Sequence, residues 1–451
     1  MINHTPQPQH TVYDSTGTGI GKFAVKFTAT GKNVKFVLIN TRTNINIPVE
    51  LPSNTTEFVV KLDLPKGEYK YTISEDPDPN IVYVQAPPIA EPLEINFSVG
   101  KVFVIMSHSM GNCNGEKWVT DTRVKIVEDY DAKLQGKWRD ETKYKNQRYR
   151  TCPEIWNDYK NTPLASEYEK GIWAILAQKI AEQEDCNVAI INTAMGGSSV
   201  KMWADEAMNR PFDHGFGSTV SGVADQNLFN SGIPYFHLEN VLKHIVSNTG
   251  VSAVLVLHGE NDMDTDSVTL AKYYQEVIET ARRASNMPEL PFVLGKSAWL
   301  LNLDKGHTQE KINQVLGAVD LVLKNVPNTH LGPVTNLLDM SFRVTDEHWN
   351  ADGGKEVARL WSLILTKGFL DGLNKKPVLE GKIVRNPIVT ANNELKNDKY
   401  KFPLIAALIA LAFTIILKVG GVKIPSYLIV VLGGSVFGGS YLVEYLLRKR
   451  Q

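Results

Sequence analysis

Residues 101–370 alternate short apolar segments with longer amphipathic ones, and this alternation restricts the fold more than any other feature of the chain. The apolar runs are KVFVIM, NVAIIN, VSAVLVL and LPFVLGK, and helical patterns occur at about 236–248, 268–285, 308–324 and 353–369. Such alternation of strands and helices is typical of a parallel sheet that helices cover on both faces. The sequence therefore predicts an α/β three-layer sandwich with a parallel sheet over residues 100–373.

The N-terminal part of the chain has a different pattern. Residues 1–20 are polar and predict an arm, whereas residues 21–99 contain short runs of alternating or β-branched residues. These runs are FAVKFTA, NVKFVLI, TEFVVKLDL, GEYKYTI, IVYVQA and LEINFSV, and Gly, Asn, Pro and Asp separate them. Short strands at such close spacing predict a small all-β sandwich. Because this segment contains no catalytic motif, we expect a spacer, a docking surface or a carbohydrate-binding module.

Two uncharged apolar segments, 402–417 and 424–443, follow a linker at 374–401. About 20 apolar residues are enough for a helix to cross the hydrocarbon core of a membrane. The sequence therefore predicts a two-helix transmembrane anchor at 402–447, with the lipid bilayer as a partner. A pair of helices buried in a soluble core is the alternative.

Basic residues flank the predicted anchor and indicate its orientation. They are Lys396, Lys399 and Lys401 before the first segment and Arg448, Lys449 and Arg450 after the second, with Lys418 and Lys423 between the two. Because cytoplasmic flanks carry the excess of Lys and Arg, we expect the bulk of the chain on the cytoplasmic side of a membrane. The sequence MINHTPQPQH lacks the basic and apolar regions of a secretory signal, which agrees with that orientation. The alternative location is a virion with an internal membrane. There the same orientation would place the bulk of the chain on the side of the membrane that faces the capsid.

Charge and cysteine content exclude other classes of partner. The 48 Lys and Arg residues nearly balance the 49 Asp and Glu residues, so no overall basic field points to a nucleic acid. The 3 cysteines form neither a disulfide framework nor a metal-ligand spacing, and we expect no metal site.

Four loops carry residues that suit acyl transfer. Ser109 follows the run KVFVIM, Gly197 follows NVAIIN, and Asn261 follows VSAVLVL. Because the carboxyl ends of parallel strands meet at one edge of a sheet, we expect these three loops to lie together. Asp346 and His348 precede the last predicted helix of this segment.

The chemistry of these residue types suits ester hydrolysis. A serine at a strand–helix turn can present its hydroxyl as a nucleophile, and a histidine beside a carboxylate can remove the hydroxyl proton. A glycine-rich turn offers backbone N–H groups to an oxyanion, and an asparagine amide offers a further donor. Each motif alone is common in loops without a catalytic role, so the prediction depends on their order and on their placement after successive strands.

Together the motifs resemble the SGNH hydrolases, also called GDSL-type esterases, and most of all their sialate O-acetylesterase and acetylxylan esterase branch. In that branch the first block reads approximately GQSN, and this chain has SHSM with Ser109 as its serine. The second block resembles NxAxGGS, here residues 192–198. The third block is usually QGExD, and this chain has HGEND, with Asn261 in a GxND pattern. The resemblance covers roughly residues 101–370 and implies a flavodoxin-like α/β fold.

The resemblance also implies roles for the residues at matching positions. Ser109 would attack an ester carbonyl, and His348, oriented by Asp346 in a DxH block, would act as the general base. Gly197, Asn261 and the backbone N–H of Ser109 would hold the oxyanion. This mechanism requires neither a metal nor an organic cofactor.

Further residues beside the motif loops complete the predicted site. We expect five of them to contact the substrate: His108, His258, Glu260, Trp203 and Trp349. A tryptophan ring can stack on a sugar, and packing in the core is the alternative role for such a ring.

The predicted function is that of a membrane-anchored serine esterase that removes O-acetyl or similar acyl groups from carbohydrate. One alternative is a glycan-binding spike protein of a membrane-containing virion, with weak catalysis or none. A cellular enzyme that acts on cytoplasmic glycan precursors or lipids is another. An acylated glycan is the expected ligand of the first two. The chain could also form a homo-oligomer, but no heptad pattern in the sequence specifies a number of subunits.

Overall fold

The computed structural model describes residues 3–4, 11–29, 33–52, 55–76, 93–112, 121–128, 155–158, 172–210, 234–298, 306–344 and 348–373. The strands in these ranges are β1 (Asn3–His4), β2 (Thr11–Asp14), β3 (Ile20–Thr28), β4 (Asn33–Asn40), β5 (Ile45–Ile47), β6 (Glu57–Pro65), β7 (Gly67–Asp76), β8 (Leu93–Ser107), β9 (Val124–Glu128), β10 (Ile155–Asp158), β11 (Val188–Asn192), β12 (Ala253–His258), β13 (Phe292–Lys296) and β14 (Thr329–Val334). The main helices are α1 (Ile172–Glu184), α2 (Val200–Ala207), α3 (Tyr235–Val241), α4 (Ser267–Ser285), α5 (Gln309–Asn325), α6 (Ala351–Ile364) and α7 (Lys367–Gly372).

The strands before residue 100 build a β module of two sheets packed face to face. β3 pairs antiparallel with β1 and β6, while β7 pairs antiparallel with β4 and β8. Alternate residues of β3, namely Phe23, Val25 and Phe27, are buried, as expected for a strand with one face in a core. Phe23 stacks on Phe97 of β8 with ring centroids 4.4 Å apart, so aromatic side chains of both sheets form one core.

β8 belongs both to this module and to the sheet that follows. It runs without a break through the boundary expected between residues 99 and 100, where Gly100 lets two backbones approach closely. A Cβ atom on Gly100 would lie 1.9 Å from the carbonyl oxygen of Asn187, and the next residue, Lys101, donates its N–H to that oxygen at 3.0 Å. The two parts of the chain are therefore joined through a continuous strand rather than through a linker.

The expected N-terminal arm also contributes a strand. β2 pairs in parallel with β8, and its residues Thr11, Val12 and Tyr13 are buried. The difference arises because a run of only four residues carries little periodicity, whereas pairing with a neighbouring strand stabilises it.

A mixed sheet with the order β10-β9-β11-β8-β12-β13-β14 forms the second part of the structure. All neighbours are parallel except β10, which pairs antiparallel with β9. Leu255 and Leu257 of β12 lie in a core that α1 and α6 share. Val254 and Val256 point to the other face and are equally buried, so both faces of the sheet are covered. The prediction of parallel strands covered by helices is confirmed in the coarser form of a mixed sheet.

Polar side chains cap the first turns of several helices. The side chains of Asp266, Thr308 and Asn350 accept backbone N–H groups in the first turns of α4, α5 and α6. The last helical pattern, expected at 353–369, is divided into α6 and α7, and Thr366 caps α7. These caps place the start of α6 directly after His348.

The linker and the predicted membrane anchor at 402–447 lie outside the described residues. Within the ranges that the structure describes, no helix is both long enough and apolar enough to cross a membrane.

Candidate active site

Ser109 lies in a tight turn at the carboxyl end of the central strand β8. β8 ends at Ser107, and residues 109–112 form one 3-10 turn. A Cβ atom on Gly111 would lie 2.4 Å from that of Ser107, so the chain can fold back this closely only with a glycine there. The turn leaves the side chain of Ser109 partly exposed at the edge of the sheet.

His348 meets Ser109 from a loop that is distant in sequence. Its Nε2 atom lies 2.9 Å from Ser109 Oγ. The loop is held on both sides of His348. Trp349 is fully buried beneath the guanidinium group of Arg343, which lies 3.8 Å from the ring centroid, and Val344 donates its N–H to the carbonyl of His348 at 2.9 Å. Asp346, the expected partner of His348, lies outside the described residues.

The two loops expected to bind an oxyanion follow β11 and β12, the strands on either side of β8. Gly197 has a φ of 72°, a left-handed conformation that favours glycine. The Asn261 side chain donates to the carbonyl oxygen of Ser198 at 2.8 Å and so ties the second loop to the third. Ser109, Gly197 and Asn261 therefore all lie at the carboxyl ends of three adjacent strands, as the sequence predicts.

His108 and Glu260 form a buried pair beneath this edge. Nε2 of His108 lies 2.7 Å from one carboxylate oxygen of Glu260, and Ser297 donates its hydroxyl to the other. Burial alone would raise the pKa of Glu260, but His108 and Ser297 outweigh it and hold that pKa below its ordinary value. Thr335 in turn donates to Ser297 at 2.9 Å. Glu260 is thus an ionised group with both oxygens occupied.

His258 is a neutral residue that supports the second loop. It is fully buried, and this burial holds its pKa well below the ordinary value. Its Nδ1 accepts the N–H of Gly259 at 3.1 Å, and its Nε2 lies 3.4 Å from the hydroxyl of Ser198. That hydroxyl also accepts the indole N–H of Trp203 at 2.9 Å.

Asp262 holds the start of α2. Its carboxylate accepts the backbone N–H groups of Val200 at 2.8 Å and Lys201 at 3.3 Å, where the helix offers unpaired donors. Burial raises the pKa of Asp262 to about 6, although these two hydrogen bonds act in the opposite direction. The carboxylate therefore fixes the geometry between the third loop and the helix that follows Gly197.

The five residues expected to contact substrate are buried. His108, His258, Glu260, Trp203 and Trp349 are each at most 1 % exposed. Their side chains point under the loops, where they pair with one another or pack in the core, so none of them forms an open surface for a sugar ring. The expectation of direct substrate contact is therefore corrected: these residues form the layer that supports the site.

Sequence reasoning missed three residues of this layer, namely Asp262, Ser297 and Thr335. The last two come directly after β13 and β14, so their position at strand ends was a signal available in the sequence. As for metals, the described ranges contain no group of three or more His, Cys, Asp or Glu side chains that could hold an ion.

Comparison with a known family covers part of this site. Residues 156–356 match the model of a carbohydrate esterase family, the sialic acid-specific acetylesterases. The match contains Gly197, Asn261 and His348 and begins after Ser109. The predicted likeness to the sialate O-acetylesterase-like SGNH branch is confirmed, as is the class of carboxylic ester hydrolase. A search of curated proteins gives no match.

Solved structures with similar features include carbohydrate esterases. A carbohydrate acetylesterase from Xanthomonas citri has a TM-score of 0.48 and 14% identity, over 80% of this chain and 74% of that one. A protein from Arabidopsis thaliana has a TM-score of 0.37 and 13% identity, over 58% of this chain and 96% of that one. A family two carbohydrate esterase from Clostridium thermocellum has a TM-score of 0.28 and 12% identity, over 77% and 90% of the two chains.

Proposed function

We propose that this chain hydrolyses O-acetyl esters of carbohydrates, with Ser109 as nucleophile and His348 as general base. The observation that carries the proposal is the 2.9 Å distance between His348 Nε2 and Ser109 Oγ. This is the separation at which a base can accept a hydroxyl proton. The match of residues 156–356 to sialic acid-specific acetylesterases supports an acetylated carbohydrate as the substrate class.

The proposed reaction has two halves. His348 Nε2 takes the proton of Ser109 while Oγ attacks the acetyl carbonyl, and the carbonyl electron pair moves onto oxygen. The backbone N–H groups of Ser109 and Gly197 and the amide of Asn261 stabilise that negative charge. His348 then gives its proton to the sugar oxygen as the C–O bond breaks, which leaves acetyl-Ser109.

Water completes the cycle. His348 removes a proton from a water molecule, whose oxygen attacks the acetyl carbon of the intermediate. Collapse of the second tetrahedral species releases acetate, and His348 returns the proton to Ser109 Oγ. In the proposal Asp346, two residues before His348 in the DxH block, orients the imidazole and stabilises its protonated form.

Hydrolysis by the full-length protein tests the proposal. The substrates are p-nitrophenyl acetate, acetylated xylan and O-acetylated sialic acid, and the variants are Ser109→Ala and the control Ser247→Ala. Ser247 lies exposed on a helix, where its hydroxyl bonds only to the carbonyl of Lys243 among the described contacts. We expect loss of turnover in Ser109→Ala alone. Equal rates in Ser109→Ala and wild type would overturn the assignment, and glycan binding without turnover by the wild type would favour the spike-protein alternative.

The proposal includes attachment to a membrane through residues 402–447. Its support is the two uncharged segments and the basic residues that flank them. Segment 424–443 is long enough to span a bilayer, and segment 402–417 reaches that length if Lys418 snorkels and the apolar residues after it extend the helix. We expect the full-length chain to remain in the membrane fraction after extraction with alkaline carbonate. The double variant Leu408→Arg, Val431→Arg should become soluble, and an unchanged distribution would contradict the anchor. Digestion of the large N-terminal part from the outer face of sealed cells would contradict the orientation.

A further inference from the structure

His108 makes contacts that the proposed reaction does not use. It is 1 % exposed, and Nε2 of its ring lies 2.7 Å from Glu260, whose second oxygen accepts the hydroxyl of Ser297. Glu260 already accepts the hydroxyl of Ser297 on one oxygen, so its carboxylate is ionised and accepts a hydrogen bond from the ring on the other. The proton of the imidazole is therefore on Nε2, and Nδ1 keeps its lone pair.

That lone pair faces the turn that carries the nucleophile. Met110 donates its backbone N–H to His108 Nδ1 at 3.3 Å, and Ser109 Oγ lies 3.4 Å from the same nitrogen. Ring nitrogens of two histidines thus lie near Ser109 Oγ, and Nε2 of His348 is the closer at 2.9 Å. Because the N–H of Met110 already points at the lone pair of His108, His348 Nε2 is the better placed acceptor for the hydroxyl proton of Ser109 among the described contacts.

We propose that Glu260 and His108 are positioning residues for the nucleophile. Glu260 selects the tautomer of His108, His108 holds the turn through the N–H of Met110, and the turn aims Ser109 Oγ at His348. The inference rests on the proposed role of Ser109 as nucleophile. No proton is transferred to His108 during the reaction, so it differs from a second general base.

The groups that face the His108 ring are consistent with such a fixed role. His258 meets it edge to face, with ring centroids 4.7 Å apart, and is kept neutral by burial. Asp262 adds a negative charge farther away, while Glu260 makes the direct contact. Ser109 separates His108 from His348. His108 therefore lies in a dry, crowded space in which one orientation of the ring satisfies its neighbours.

Two substitutions at position 108 each keep one of the two hydrogen bonds of the imidazole. In His108→Asn the side-chain oxygen can replace Nδ1 and accept from Met110, but the side chain is too short for Glu260. In His108→Gln the amide can replace Nε2 and donate to Glu260, but no acceptor remains at the position of Nδ1. His108→Ala removes both contacts. Circular dichroism and urea unfolding of the full-length variants establish that each is folded.

We expect His108→Ala to lower kcat roughly 10²-fold with little change in KM, because a misplaced nucleophile slows the chemical step more than binding. His108→Asn should retain more of kcat than His108→Gln. The pH dependence of kcat/KM should keep its wild-type shape in every folded variant, because no proton passes through His108 in the proposed role. A wild-type kcat in His108→Ala, a better rate in His108→Gln than in His108→Asn, or a changed pH dependence would each overturn the proposal.

Glu260→Gln provides a second, independent test through the tautomer. A glutamine amide can donate to Nε2 of His108 and move the ring proton to Nδ1, which then cannot accept from Met110. We expect kcat to fall in Glu260→Gln but not to fall further when Glu260→Gln is added to His108→Asn, because asparagine has no tautomer to select. Additive losses in this double-mutant cycle would contradict the inference.

The outcomes also separate this inference from the proposed function. If Ser109→Ala is as active as the wild type, the proposed nucleophile itself fails. If Ser109→Ala is inactive and His108→Ala keeps the wild-type rate, only the positioning role fails.

Discussion

The strand β8 has a buried acid–base contact where it enters the parallel sheet and another just after it leaves. At the first, Lys101 Nζ lies 3.9 Å from Glu184, and both side chains are fully buried. At the second, His108 lies 2.7 Å from Glu260, and both are again buried. The two contacts are similar in composition, but their partners come from different parts of the molecule.

Charges around Lys101 join the β module to the α/β sheet. Glu184 at the end of α1 also pairs with Lys66 of the β module. Asp14 of β2 accepts the N–H of Val102 at 3.2 Å. Burial raises the pKa of Asp14 and lowers that of Lys101, so each depends on the other for its charge.

Around His108, by contrast, the partners Glu260, Ser297 and Thr335 follow three neighbouring strands of one sheet. A buried acid–base pair therefore has no single role in this fold. At the amino end of the parallel strands the charges stabilise an interface between two parts of the fold. At the carboxyl end, where loops converge, a similar pair lies next to a reactive hydroxyl.

Replacing His348 by Ala has the largest expected effect. Loss of the base should lower kcat by about 10⁴-fold or more, because the imidazole proposed to take the proton of Ser109 is then absent. The free energy of unfolding should change little, because the neighbouring Trp349 and Asn350 hold the loop. Steady-state kinetics with p-nitrophenyl acetate and urea unfolding measure the two quantities. A kcat within tenfold of wild type would remove His348 from the mechanism.

Glu184→Ala should show the opposite combination. Removing the carboxylate leaves Lys101 buried without its partner at Glu184, which costs about 3–5 kcal/mol of unfolding free energy. The activity of the folded fraction should stay at the wild-type level. Glu182→Ala, two residues earlier on the exposed side of α1, is the matched control and should be near neutral. Similar stabilities for the two variants would contradict the importance of this charge cluster.

Asn261→Ala tests the carboxyl end of the sheet, where the candidate active site lies, at a residue with two expected roles. Loss of an oxyanion donor should lower kcat by about 10²–10³-fold. The lost hydrogen bond to the carbonyl of Ser198 should cost about 1 kcal/mol of stability. Asn325→Ala, which removes a side-chain bond to a helix carbonyl far from the site loops in sequence, is the control. A kcat loss no larger than the control's would exclude Asn261 from the oxyanion site.

Asp262 should make stability depend on pH. Its folded pKa of about 6 lies above the ordinary 3.8, so its contribution is fully present below about pH 4 and is lost as the pH rises through 6. Between pH 5 and pH 7 the wild type should lose about 1 kcal/mol relative to Asp262→Asn, which keeps an acceptor for Val200. Urea unfolding of both proteins at the two pH values measures the difference, and a constant gap between them would refute the shift.

Lys311→Met should have the smallest effect. Lys311 pairs with Asp264 at 2.5 Å, but the aspartate is 87 % exposed. Exposed pairs typically contribute about 0.2–1 kcal/mol, and added salt should reduce even this. Thermal unfolding at low and high salt checks the expectation. A loss as large as that of Glu184→Ala would show that burial does not explain the contrast between the two kinds of pair.

The sequence predicted the helices and the motif loops well, because these depend on local patterns. The expected segment 268–285 is α4, which begins at Ser267 after the cap Asp266, and 308–324 is α5. The order of the loops with Ser109, Gly197 and Asn261 follows directly from parallel strands that alternate with helices.

Buried polar contacts could not be predicted in the same way. His108, Glu260 and Ser297 lie far apart along the chain, and nothing in their local sequence specifies that they share one network. Trp203 and Trp349 appeared as candidates for sugar contact because they follow motif loops. Whether such a ring turns outward or into the core depends on the space that neighbouring elements leave.

The amino-acid sequence is enough to predict the alternation of strands and helices, the glycines that the turns require and the chemical set of serine, histidine and asparagine. These follow from side-chain periodicity and backbone sterics within short segments. Three features are visible only in the folded chain: β8 continues through Gly100, Ser109 meets His348, and His108 pairs with Glu260. Each of these depends on contacts between distant segments, whose free energy arises when packing removes the groups from water and leaves them one another as partners.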